Sequence, residues 1–508
     1  MPNVSRKARP SGREAEPRED SSQAPSDERL RVVHLVAEYW PFARTGGLAE
    51  AVRGIATFQA ATGIPTTVFM PLYRAVREAH PELEEVSRFA VQVGPRLEEG
   101  RVFRLPGPRR NPNVLFIDNP EYFDRDGIYG EAGSDYPDNT RRFAFFNRAV
   151  LEALPDLAEV PIVLHAHDWH TALAPIYLRT TMPKRPPYSN VATVLSVHNA
   201  GYQGHFPPET LADIGLPSSL FHSRWLEWYG RVNILKGGLA FSDYATTVSP
   251  THAHELRTPA GGFGLHHSFI TMQDRFVGIR NGIDLDIWNP ESDSEIAATY
   301  SPHDLSGKRR CKAELQRAYN LPEDPEIPLF GMTARLVEQK GLDLILDDGF
   351  LSRANAQFVF LGSGEERYRV ALSQAAAARP QRVAAEFDFR EPLEHQLLAG
   401  ADLLLMPSLY EPCGLTQMRA QRYGTLPVAR RVGGLADTIE DQVTGFLFDE
   451  YSTEALEQAV WRAVDLYRSG PEGWNWHVLE AMDRDFGWES SAAKYLDVYR
   501  KAHAAHIG

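Results

Sequence analysis

Residues 31–72 read RVVHLVAEYWPFARTGGLAEAVRGIATFQAATGIPTTVFMPL. Val32, Val33, Leu35 and Val36 form an apolar run without alternation, the habit of a strand buried on both faces in a parallel sheet. The loop PFARTGGLAE follows, then the helical stretch AEAVRGIATFQAAT, then a second apolar run, TTVFMPL. Strand, glycine turn, helix and strand make a βαβ unit with a right-handed crossover. The runs VLFID, PIVLHAH, VATVLSVHN and DYATTVS repeat the pattern, so residues 30–275 read as one doubly wound domain.

A second series begins at IPLFGMTARL and continues through AQFVFLGSG, RVAAEFDF, ADLLLMPS, TLPVARRVGG and GFLFD. It predicts a second Rossmann-like unit over residues 290–485. The turn-rich stretch around RNGIDLDIWNPESD makes residues 276–289 a hinge. Residues 486–508 read as a C-terminal helix that returns to the first domain. The expected fold is thus α/β, with two parallel sheets facing across a cleft and the chemistry in loops that follow strands. Residues 1–29 mix both charges with Pro and Ser and are expected to be a disordered extension.

Composition narrows the classes. The chain has 508 residues and a formal charge of −14, which offers no basic surplus for nucleic acid. It has no apolar run long enough to span a membrane and no signal-peptide core at its start. Cys311 and Cys413 form no metal or disulfide pattern and suit a reducing compartment, so a cytoplasmic protein is expected.

Five strand-end motifs carry chemistry. Arg44-Thr45-Gly46-Gly47 can hold an anion at the start of a helix, or simply make a tight turn. His165-Ala166-His167-Asp168-Trp169-His170 invites a metal reading. The HxHxDH spacing of binuclear sites is not met, however, because Asp168 comes one place early, and no second ligand cluster follows. A polar strand end beside a sugar, or buried and satisfied histidines, are the other readings. His198, in VHNAGYQG, follows an apolar strand and precedes a polar loop, at the cleft edge or in the core. Arg335 and Lys340, in TARLVEQKGLDL, suit a diphosphate or are solvated cations. Glu411 opens EPCGLTQ, where Pro412 forbids helix and Gly414 permits close approach. Its carboxylate can accept from a diol, or cap the following helix.

Taken in order, ARTGGLAE, YFDRDGIYG, DYPDNTRRFAFFNRA, HAHDWHTALAP, SVHNAGYQG, NGIDLDIWNPESD, ARLVEQKGLDL, SLYEPCGLTQMRAQRYGTLPVARRVGGLADT and FGWESSAAKY resemble the glycogen and starch synthases that use a nucleotide-glucose donor. The resemblance implies a retaining glycosyltransferase of GT-B fold. It further implies ADP-glucose, or less readily UDP-glucose, as donor, an α-1,4-glucan as acceptor, and no metal or cofactor. Gly46 and Gly47 would meet donor phosphate and sugar, while Arg335 and Lys340 would hold the diphosphate. Glu411 would lie near the donor sugars, with Cys413 and the N–H groups of Gly414, Leu415 and Thr416 on the donor side. Asp168 and His198 match positions at the reacting sugar, and Asn281 lies near the nucleotide. Attack on the donor face from which phosphate leaves needs no covalent nucleophile.

Three positions depart from the family pattern. Arg44 stands for a lysine, Glu50 for an aspartate, and Phe389 for a base-stacking tyrosine. All three touch the expected donor site, so a different donor or a small acceptor is the leading alternative. A non-catalytic glucan-binding relative is the other.

Overall fold

The computed structural model describes residues 30–108, 110–131, 133–157, 161–347 and 349–507. The expected N-terminal extension, residues 1–29, lies outside them. In the first sheet the strands are β1 (Arg31–Leu35), β2 (Thr66–Pro71), β3 (Glu84–Val93), β4 (Arg96–Arg104), β5 (Asn113–Asp118), β6 (Ile162–His167), β7 (Val191–Val197), β8 (Tyr244–Thr247) and β9 (Phe276–Gly278). Their order is β9-β8-β7-β6-β1-β2-β5-β4-β3. β1 runs parallel to both β2 and β6, with Val33 opposite Thr67 and Leu164. Every residue of β2, β6 and β7 is buried, as their unbroken apolar runs require. At the far edge β3 and β4 form an antiparallel hairpin that closes on β5.

The second sheet is wholly parallel. Its strands are β10 (Leu329–Thr333), β11 (Gln357–Leu361), β12 (Val383–Glu386), β13 (Leu403–Met406), β14 (Leu426–Arg430) and β15 (Phe446–Phe448), in the order β12-β11-β10-β13-β14-β15. Strand order reverses between β10 and β13, and in the first sheet between β1 and β6. Open α/β sheets bind ligands at such reversals, in the crevice beyond the strands' carboxyl ends. Arg44, Gly46 and Gly47 follow β1, and Asp168 follows β6. Arg335 and Lys340 follow β10, and Glu411 to Thr416 follow β13.

Helix contacts tie the units together. The helix Pro250–Glu255 packs on the helix Gly433–Thr438. There Thr251 donates from its amide and hydroxyl to Asp437 at 3.0 and 2.6 Å. The C-terminal helix Glu489–Ile507 crosses back to β6, β7 and the first helix, Gly47–Ala61. Trp488, Tyr495, Val498 and Tyr499 share one core with Val32, Ile55, Val163 and Val194. Burying each large side chain contributes about 1.5–3 kcal/mol, so this return is firmly held. Gly54 makes room for it, since a Cβ there would lie 2.1 Å from the Trp488 indole. Among the described residues no helix is long and apolar enough to cross a membrane.

Candidate active site

The second domain supplies a paired acid and base. Lys340 ends a short turn after β10, and Gly341 beyond it adopts φ +73° with the Pro407 carbonyl only 2.0 Å from where a Cβ would stand. That contact presses the Lys340 turn against the loop following β13. Lys340 Nζ donates to Glu411 Oε2 at 2.6 Å, and Ser408 Oγ donates to the same oxygen at 3.1 Å. Glu411 is buried. Arg335 is exposed, near enough to Tyr410 for its charge to act on the phenol.

The EPCG loop owes its shape to Gly414, at φ +71° and with Gln417 Oε1 2.3 Å from where a Cβ would stand. Gln417 Nε2 donates to the carbonyls of Cys413 and Gly414 at 2.9 and 3.0 Å, and Leu415 precedes the helix Thr416–Arg422. Cys413 is buried, and burial pushes its thiol up to about 12, which leaves it no nucleophile. Asn281 lies against it, buried, its Oδ1 without a partner among the described residues.

The first domain holds its glycine loop open. Glu38, buried just after β1, accepts from the Thr45 amide at 2.5 Å, the Thr45 hydroxyl at 2.7 Å and the Tyr129 hydroxyl at 2.6 Å. With Thr45 pinned, a Cβ on Gly46 would meet nothing within 4 Å, and one on Gly47 only Leu415 Cδ1 at 3.6 Å. Arg44 turns aside. Its Nη1 lies 2.7 Å from Glu50 and 3.0 Å from Glu391 of the other domain. Glu50 also pairs with Arg419, which reaches Glu394 at 3.1 Å and covers the Trp288 ring at 4.1 Å. Two of the three departing residues thus sit in an ionic network between domains.

Asp168, the residue after β6, holds φ +58°, a strained conformation for a non-glycine residue and one that clusters at functional sites. Its Oδ1 accepts from the amides of His198 and Asn199 at 2.7 and 3.4 Å, which fixes the loop after β7. Burial pushes the carboxyl up to about 7. The same burial lowers His198 to about 3, so the ring is neutral and hydrogen bonding sets its role. Across the cleft, Tyr410 bonds to Asn199 and stacks edge-on against Phe263 at 5.0 Å.

Asp168 and His198 therefore form one group, Glu411 and Lys340 another, and Tyr410 joins them. Phe389, half-buried, packs with Tyr319 and Leu393 on the core of Leu329, Leu361 and Leu397. The sequence reading does not single out Glu38, Tyr129 or Tyr410. Tyr129 and Tyr410 lie inside motifs quoted for the resemblance, where neighbouring residues carry the pattern. Glu38 has no motif, and only its place one strand-end from the glycine loop marks it.

Known proteins share this architecture and its motifs. Residues 31–271 match the model of the starch synthase catalytic domain, and residues 312–469 that of glycosyl transferases group 1. A glycogen synthase of Syntrophotalea carbinolica is 42% identical over 94% of this chain and all of its own length. Glycogen synthase 2 of Geobacter sulfurreducens is 41% identical, over 93% of this chain and 99% of its own. The chain belongs to the glycogen and starch synthase family. The enzyme is accordingly a glycosyltransferase of GT-B fold that uses a nucleotide-sugar donor and a glucan acceptor. The catalytic domain of Arabidopsis thaliana starch synthase IV, solved with ADP and acarbose, superposes with a TM-score of 0.86 at 32% identity, over 94% of this chain and all of that one. Sucrose-phosphate synthase of Thermosynechococcus elongatus shares the fold at 17% identity, with a TM-score of 0.61 over 94% of this chain and all of that one.

Proposed function

We propose that the enzyme transfers glucose from ADP-glucose to the 4-hydroxyl at the non-reducing end of an α-1,4-glucan, with retention of configuration. The observation that carries this reading is the Glu411–Lys340 pair, its carboxylate buried and set at a strand-order reversal, with Leu415 of the same loop the nearest neighbour of Gly47. The bond from the sugar's anomeric carbon to the diphosphate breaks, and a bond to the acceptor O4 forms on the same face. The acceptor's proton passes to the departing phosphate oxygen. Lys340 and Arg335 stabilise the charge gathering on that diphosphate, as preorganised cations do in a water-poor cleft. Gly46 and Gly47 leave room for phosphate and sugar. Asp168 and His198 face the reacting glucose, and Asn281 with its free oxygen lies toward the nucleotide.

ADP is preferred over UDP because the starch synthase relative holds ADP. Arg44 and Glu50 are engaged in the interdomain network, so their divergence bears on closure of the cleft more than on the base. Both cysteines are buried and unpaired, which fits a cytoplasmic enzyme. The test is transfer of labelled glucose from ADP-glucose, and separately UDP-glucose, onto glycogen with a chelator present. Incorporation from ADP-glucose that survives the chelator is expected. Incorporation only from UDP-glucose, or only with added metal ion, overturns the donor or the cation assignment respectively.

A further inference from the structure

Behind the reacting site, β1 and β6 carry histidines where a parallel sheet ordinarily carries aliphatic residues. His34, His165 and His167 are fully buried, and their ring nitrogens gather within 4.8 Å. Such a cluster could hold a metal ion, yet its nitrogens already have partners. His34 Nε2 lies 2.9 Å from Gln59 Oε1, and His34 Nδ1 lies 3.0 Å from His167 Nε2. His167 Nδ1 in turn lies 3.0 Å from His198 Nε2. On the other side Gln59 Nε2 donates to the Tyr499 hydroxyl at 2.8 Å. That hydroxyl meets His165 Nδ1 at 2.8 Å, and His165 Nε2 meets Ser196 Oγ at 2.7 Å.

Burial keeps these rings neutral, with His34 down at about 4. A neutral imidazole has one N–H and one lone pair. A file of such rings must therefore point one way throughout, and the group at its end decides which. Gln59 is that group. Its carbonyl oxygen only accepts, so His34 carries its proton on Nε2 and bares Nδ1. His167 must then donate from Nε2 and accept at Nδ1, and His198 must donate from Nε2. The amide nitrogen only donates, so the Tyr499 hydroxyl points its proton at His165. Buried, fully satisfied chains of this kind hold one arrangement strongly.

We propose that Gln59, on the first helix, and Tyr499, on the C-terminal helix, are positioning residues for sugar transfer: through His34 and His167 they fix His198 with its proton on Nε2 and a lone pair on Nδ1. His198 Nδ1 then accepts from a hydroxyl of the donor glucose. The C-terminal helix so acts on the reacting centre without entering the cleft. The role in transfer rests on the reading proposed above, whereas the tautomer does not.

The test compares wild type with Gln59→Leu, Gln59→Glu and Tyr499→Phe in the full chain. For each, kcat and donor KM are measured with ADP-glucose and glycogen, together with Tm and the ¹⁵N spectrum of the histidine rings. In wild type the spectrum should show His198 bare at Nδ1 and protonated at Nε2. Gln59→Leu should mix the two tautomers and lower kcat by about tenfold or more, with donor KM changed by less than about twofold, as small misplacements at a reacting centre do. Gln59→Glu keeps an acceptor toward His34 and should restore most of kcat. Tyr499→Phe, which frees the amide to turn, should behave as a milder Gln59→Leu, and decides the matter if Gln59→Leu does not fold. A wild-type His198 protonated on Nδ1, stoichiometric metal in the purified protein, or folded Gln59→Leu with unchanged spectrum and kcat would each overturn the proposal. If wild type transfers no glucose while the spectra behave as stated, the relay stands and the proposed function fails.

Discussion

The letters Gly-Gly-Leu-Ala occur twice, at 46–49 and at 433–436, each time opening a helix after a strand and loop. The first pair faces emptiness: nothing would touch a Cβ on Gly46, and only one leucine methyl would touch a Cβ on Gly47. The second pair is pressed into backbone. A Cβ on Gly433 would stand 1.9 Å from the Glu411 carbonyl, and one on Gly434 2.1 Å from that of Cys413. Gly433 also holds φ +44° and donates to Glu255 at 2.9 Å, and Gly434 donates to the Glu411 carbonyl at 3.1 Å. One pair provides space for something else. The other lets the helix Gly433–Thr438 lean on the loop after β13 while gripping the first domain. Identical letters thus meet opposite demands, and only the surroundings tell them apart.

The largest effect should come from the crowded pair. Gly434→Ala drives a methyl into a backbone carbonyl and strains the bond to Glu411, at a cost of about 3 kcal/mol. Denaturant unfolding should show that loss, with activity falling alongside. A normal midpoint would mean that the loop yields easily and the contrast is shallow.

The two domains differ in their acids as well. Glu411 has Lys340, but among the described residues Asp168 accepts from amides alone, and burial pushes its carboxyl up to about 7. In the unfolded chain an aspartate titrates near 4, so between those values the folded protein keeps a proton that the unfolded chain has released. This stabilisation is complete below about pH 4 and disappears as pH rises through about 7. From pH 5 to 7 it should cost wild type about 2 kcal/mol that Asp168→Asn does not lose. Midpoints of the two proteins across that range check it. Parallel curves would mean that Asp168 ionises like an exposed acid.

Much of this is legible without the structure. Unbroken apolar runs such as PIVLHAH and VATVLSV announce strands covered on both faces, and each motif falls after one. The sequence does not reveal what its polar letters bond to. Gln59 and Tyr499 lie 440 positions apart and look like ordinary helix residues, yet they share a hydrogen bond beneath the histidines. Arg44 reads as a phosphate ligand because its loop does, whereas its partners Glu391 and, through Glu50, Arg419 come from another domain. The hairpin β3–β4 is hidden differently: its faces are largely exposed, so it lacks the apolar run by which the other strands are recognised. Local patterning reports burial. Partnership across domains is a property of the fold.

The open glycine pair predicts a separation of stability from turnover. Gly46→Ala should leave the unfolding midpoint unchanged, because the added methyl meets nothing and φ −163° is extended backbone open to any residue. The donor's kcat/KM should nevertheless fall by about tenfold, because a methyl would fill space kept for phosphate and sugar. Undiminished kcat/KM would show that donor does not pass that face.

The smallest effect belongs to Arg44, beside that pair. Its ion pairs with Glu50 and Glu391 are each about a quarter exposed, so they contribute less than about 1 kcal/mol and are screened by salt. They do, however, cross between domains, so their effect falls on keeping the cleft closed over donor. Arg44→Ala leaves Glu50 and Glu391 facing each other across the cleft with only Arg419 to share. Its donor KM should rise a few-fold at low ionic strength, by about the factor that 1 kcal/mol allows. At high salt wild type loses the same attraction, so the two KM values should converge, whereas Arg44→Lys should track wild type throughout. A KM difference that persists undiminished at high salt would mean that Arg44 touches the donor itself. The first glycine loop would then be the phosphate site its letters suggest, with the arginine as part of it.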